Sequence, residues 1–159
     1  MTPRTAAAAA VLLCVLAVPA MGQLTGPGIT WSGSAGNFAG TFGFECEPLQ
    51  VDVTPGETVT LTVWGDQNAP FAVFASFGSQ ACVTVPGVAN ALLLANPVSL
   101  TEDGILAQRT NCGACPSGFE DMVVPVSSSL PVGTSITVQA VTFAGGIAAF
   151  SSAVTATVI

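Results

Sequence analysis

Between Glu57 and Trp64 the hydrophobic pattern alternates without a break, with Val59, Leu61 and Val63 on one side and Thr58, Thr60, Thr62 and Trp64 on the other. A strict period of two in β-branched residues is the pattern of a strand with one buried face. No long, capped apolar stripe of period 3.6 competes with it after residue 22. The same reading marks Phe71 to Phe77, Ser135 to Phe143 and Ile147 to Val158 as strands. Shorter candidates are Ala81 to Val85, Ala91 to Ala95, Val98 to Thr101, Leu106 to Thr110 and Met122 to Val126. The stretch from Val88 to Ala95 also suits a helical turn.

Turn chemistry fits between these runs. Thr54-Pro55-Gly56-Glu57 has Pro and Gly in the order of a type II turn, and Ala144-Gly145-Gly146 supplies the positive φ values of a tight hairpin. Short strands separated by Pro and Gly predict an all-β fold, an antiparallel β-sandwich. At 159 residues, half of them apolar and only 7% charged, the chain has the composition of one folded domain.

The first 22 residues read as a cleaved signal peptide. Arg4 is the positive n-region, Ala6 to Val18 the apolar run, and Ala20-Met21-Gly22 the small-residue cleavage pattern, so Gln23 is the expected new N-terminus. Cys14 lies inside the apolar run, after Leu13, and does not fit a lipidation site. The domain plan is a signal peptide over 1–22, a Gly/Ser-rich lead-in or first strand over 23–44, and the β-sandwich over 45–159. The product is expected outside the cytoplasm: secreted, periplasmic or at the cell surface.

Loss of the leader removes Arg4 and leaves all nine Asp and Glu, with Arg109 as the single basic side chain and no Lys, His or Tyr. Nucleic acid binding needs Lys and Arg on phosphates and is excluded on this charge balance. Attraction to anionic lipid heads fails for the same reason, and no membrane insertion of the mature chain is expected. Without His there is no Ser-His-Asp or Cys-His nucleophile and no imidazole ligand. An enzyme is disfavoured, and no cofactor is expected.

Four cysteines remain after cleavage: Cys46, Cys82, Cys112 and Cys115. In an exported chain an even count reads as two disulfides, with three pairings open. Cys46 with Cys82 and Cys112 with Cys115 is preferred, because neighbours in one loop close at low entropic cost. A redox role for Cys112-Gly113-Ala114-Cys115 would want a helix N-terminus to lower the thiol pKa, but Pro116-Ser117-Gly118 follows as loop sequence. A four-thiolate zinc site lacks the second C-x-x-C pair.

Carboxylates occur as Glu45 and Glu47 around Cys46, Glu102 beside Asp103, and Glu120 beside Asp121. Adjacent strand residues point to opposite faces, so none of these pairs forms a glycosidase dyad alone. No D-x-D-x-D-G calcium loop is present. Loop acids that keep a Lys-free protein soluble are the plainer reading, and no metal is expected.

Trp64 shares the polar face of its strand and leads into Asp66, Gln67 and Asn68. An exposed ring beside hydrogen-bonding groups suits stacking on a sugar, so these four residues form a candidate polysaccharide-binding patch. The competing reading is a Trp that plugs the end of the core.

The segments PGETVTLTVWG (55–65), APFAVFASFG (69–78), ALLLANPVSL (91–100), LPVGTSITVQAV (130–141) and FSSAVTATVI (150–159) occur in that order. In this the chain resembles an uncharacterised family of secreted bacterial β-sandwich modules, over about two thirds of its length. The resemblance implies an immunoglobulin-like extracellular module and carries no site residues. The functional expectation is a non-catalytic structural or adhesive protein of the cell surface or matrix. Self-association is its expected partner mode, since no Lys guards the strand edges. The alternative is a carbohydrate-binding module using Trp64.

Overall fold

The computed structural model describes residues 26–41, 43–96, 98–111 and 115–159. The expected signal peptide and its cleavage site lie outside the described residues. Among those described there is no helix, and the strands are β1 (Gly28–Gly33), β2 (Phe38–Thr41), β3 (Leu49–Val53), β4 (Thr58–Gly65), β5 (Pro70–Ser76), β6 (Ser79–Thr84), β7 (Val88–Ala89), β8 (Ala91–Leu94), β9 (Ser99–Ile105), β10 (Gln108–Arg109), β11 (Gly118–Pro125), β12 (Ser135–Ala144) and β13 (Ile147–Val158).

They form two principal sheets, ordered β10-β11-β4-β1-β2 and β3-β13-β12-β5-β9, and a two-stranded sheet of β6 and β8. The pairing is antiparallel except along β13, where β3 and the two-residue β7 run parallel to it. The second sheet is thus mixed, where alternation alone suggested an antiparallel one. Periodicity identifies a strand's faces but is blind to the direction of its neighbour.

One hydrophobic cluster joins the two principal sheets. Ile29, Trp31, Val59, Leu61 and Val63 enter it from the first, and Val51, Val53, Phe71, Val73, Val138, Val154 and Val158 from the second. The parity of β4 is as the alternation predicts, with Val59, Leu61 and Val63 buried in the core. The Thr54–Glu57 turn closes with Glu57 N–H donating to the Thr54 carbonyl at 3.2 Å, and Gly56 takes φ 83° at the position that requires it. Gly145 and Gly146, at φ 57° and 80°, make the β12–β13 hairpin.

The Gly/Ser-rich stretch before Cys46 holds two strands rather than a loose lead-in. β1 runs between β2 and β4, with Ile29 fully buried and Trp31 6% exposed. The Val88–Ala95 stretch is β7 and β8, without a helical turn.

A third layer lies on the second sheet. β8 contacts β12 and β13 on the side away from the main core, where Leu93 and Leu94 are fully buried. Gln139, 1% exposed, fastens this layer: its Oε1 accepts Leu93 N–H at 2.9 Å, and its Nε2 donates to the carbonyls of Ala91 at 2.9 Å and Ser151 at 2.8 Å. The Cys46–Cys82 disulfide ties β6 to the segment that enters β3. That segment is held to β13 as well, since Glu45 N–H donates to Ser152 Oγ, which donates to the Gly43 carbonyl.

Candidate functional site

The outer faces of the two principal sheets differ. The β6–β8 layer covers part of the second, whereas the outer face of the first can be laid out from its register. Three cross-strand rows result: Phe119, Trp64 and Gly28; Asp121, Thr62, Thr30 and Gly40; Val123, Thr60, Ser32 and Phe38. Apart from Asp121 these side chains are uncharged. Val123 is 70% and Phe38 65% exposed.

Trp64 is half-buried on this face, as its parity predicts. Its ring packs against Phe119 with centroids 5.1 Å apart and planes tilted by 30°, an offset pairing of the kind aromatic quadrupoles favour. The indole N–H donates to Thr30 Oγ1 at 3.4 Å, across the strand that has only Gly28 opposite Trp64. In the next row Thr62 Oγ1 donates to Asp121 Oδ1 at 2.6 Å.

Asp66, Gln67 and Asn68 follow at the strand end with exposed side chains. Their backbone is tied down. Ala69 N–H donates to the Asp66 carbonyl, Gln67 N–H to Ser117 Oγ, and Asn68 N–H to the Leu106 carbonyl, each at 3.0 Å. Leu106 N–H donates back to the Ala69 carbonyl, and the Leu106 side chain is fully buried. Asn68 accepts φ 64° to make this turn. The loop therefore seats Leu106 in the core, and Phe119 joins Trp64 on its own face. Phe119 was not legible because Gly118-Phe119-Glu120-Asp121 does not alternate in hydrophobicity.

The two acidic pairs do come together. Glu102 and Asp103 of β9 and Glu120 and Asp121 of β11 line one cleft of about 350 Å³, with Phe71, Ile105 and Met122 in its walls. A buried Oε2 of Glu120 has no hydrogen-bond partner there. No group of three or more acidic, Cys or His side chains among the described residues has the geometry to hold a metal ion.

Cys46 and Cys82 are bonded as expected, with Cα atoms 5.3 Å apart. Cys115 is also disulfide-bonded, and its expected partner Cys112 lies outside the described residues. Among the described residues no helix is long and apolar enough to cross a membrane. No family model matches the chain, and no curated protein does.

Proposed function

We propose that this chain is an exported, non-catalytic β-sandwich module of immunoglobulin-like type that acts as a structural or adhesive protein of the cell surface or matrix. The sheet orders support the topology. The run β10-β11-β4-β1 reads as strands D-E-B-A, and β13-β12-β5-β9 as G-F-C-C′, the variable-type arrangement. β3, parallel to β13, then continues the first strand on the opposite sheet. The module departs from antibody domains in its disulfide, which joins Cys46 to Cys82 instead of bridging the B and F strands. Export is supported by the apolar leader pattern and by that disulfide. The absence of His and Lys from the sequence supports a role without catalysis.

One observation carries the adhesive reading: the outer face of the first sheet is uncharged over most of its area and exposes Val123 and Phe38 to solvent. The two stand at opposite ends of one row with Thr60 and Ser32 between them, and the uncharged strip they bound suits contact with a second copy. Self-association through this face fits better than edge pairing. Three of the four outermost strands of the principal sheets are either short, as β10 and β2 are, or acidic, as β9 is with Glu102 and Asp103. Sedimentation velocity is the test. The wild-type chain should grow in size with concentration, and Val123→Glu should remain monomeric with its melting temperature within about 2 °C. A wild type that stays a monomer at high concentration would dismiss self-association.

A second reading, polysaccharide binding, is favoured by the Trp64–Phe119 pair beside Thr30, Thr62 and Asp121. Trp64→Ala should abolish retention on a polysaccharide array. Because the ring also packs on Phe119 and is half-buried, the change should lower stability by about 1–3 kcal/mol. Undiminished retention by the variant would reject this reading.

A further inference from the structure

The two principal sheets do not close against each other along their whole length. A cavity of about 610 Å³ lies between them on the side where β11 faces β5 and β9, with Trp31, Leu61, Val73, Met122, Val138 and Val158 in its wall. Ligand sites are typically apolar concavities of about 300–1,000 Å³ with a few polar groups. Phe77 and Val123, 77% and 70% exposed, also line it, so its rim is apolar and open to solvent.

Two features set the chemistry of an occupant. The cavity and the acidic cleft share Glu102, Met122 and Val123, so the apolar space runs directly into a site walled by Glu102, Asp103, Glu120 and Asp121. No Lys, Arg or His lines either space, and Glu120 Oε2 is buried there without a partner. An anionic head at that junction would meet like charge, whereas a cationic head would meet opposite charge. Trp31 lines the apolar part, and its buried indole N–H has no hydrogen-bond partner.

We infer that the inter-sheet cavity binds a single-chain amphiphile with a cationic head, the alkyl chain between the sheets and the ammonium group among Glu102, Asp103 and Glu120. This site borders the outer face on which the proposed function rests, meeting it at Asp121 and Val123, and the inference does not depend on that reading.

Trp31 provides the reporter. In the full chain carrying Trp64→Phe, Trp31 alone emits, and titration with dodecylammonium below its micelle concentration should change that emission to saturation at one molecule per chain. Shortening the chain should weaken binding about fourfold per methylene removed, and dodecanoate should bind at least tenfold more weakly. Glu102→Gln with Glu120→Gln should remove that preference, whereas Glu45→Gln with Glu47→Gln, away from the cavity, should keep it. Ala75→Phe, which adds a ring to the wall, should weaken both ligands while the circular dichroism spectrum stays that of the parent. Equal affinity for dodecylammonium and dodecanoate, retention of full affinity in Ala75→Phe, or no saturable response of Trp31 would overturn the assignment.

Discussion

Gly40 and Gln139 carry more of this structure than their residue types suggest. Gly40 faces Thr30 across the β1–β2 pair, and a Cβ built there would fall 2.5 Å from Thr30 Cγ2 and 2.9 Å from Thr30 Cα. Gly40→Ala should therefore push β2 off β1 and cost about 1–3 kcal/mol in a urea melt. An unchanged midpoint would mean that the two strands are not in contact. By composition this Gly-rich stretch reads as a lead-in or a first strand, and in a strand glycine marks a close approach of backbones, as it does at Gly40. At Gln139 one side chain satisfies three backbone groups, two on β8 and one on β13. Gln139→Ala leaves them buried and unpaired, with an expected loss of about 3 kcal/mol or more. Gln139→Glu keeps the acceptor for Leu93 N–H but loses both donors, so it should not restore stability. Nothing in the alternating pattern singled out Gln139, because a buried amide on the covered side of a strand looks like a solvent-facing one.

At the scale of elements, legibility followed burial. β4 was readable because one face meets the core and the other does not, and β12 and β13 were readable as long β-branched runs joined at Gly145-Gly146. The edges were less so. Val98 to Thr101 and Met122 to Val126 were expected where Ser99–Ile105 and Gly118–Pro125 form. The added residues include Glu102, Asp103, Glu120 and Asp121, whose charges suggest loop and whose backbones pair because β5 and β4 offer free ladders. Leu106 to Thr110 contains only the two-residue β10, since Leu106 leaves the sheet to fill the end of the core. The β6–β8 layer depends on Gln139 and on the Cys46–Cys82 bridge, which spans 36 residues. Replacing both cysteines by Ala should cost about 4 kcal/mol if chain entropy governs the bond's contribution. Amide exchange in β6 and β8 should then quicken more than in β4. Uniform acceleration across all strands would show that the bridge supports the whole fold and not this layer.

For the whole molecule, composition and alternation were enough to give an all-β chain, and the cysteine count and spacing to nominate Cys46 with Cys82. They did not reveal that one sheet is partly covered while the other leaves its outer face open, nor that the sheets part around a cavity. Both features depend on which strands become neighbours, and local pattern holds little information about that. The formal net charge of −7 favours solubility, yet the three outer rows of the first sheet carry only Asp121 among charged groups. The most direct test is a concentration series followed by methyl-resolved NMR. Interaction through the open face predicts that Val123, Thr60 and Thr62 shift or broaden as concentration rises, while Leu93 of β8 and the buried Val141 of β12 do not. Changes confined to Leu93 and Val141, or none at any residue, would contradict it.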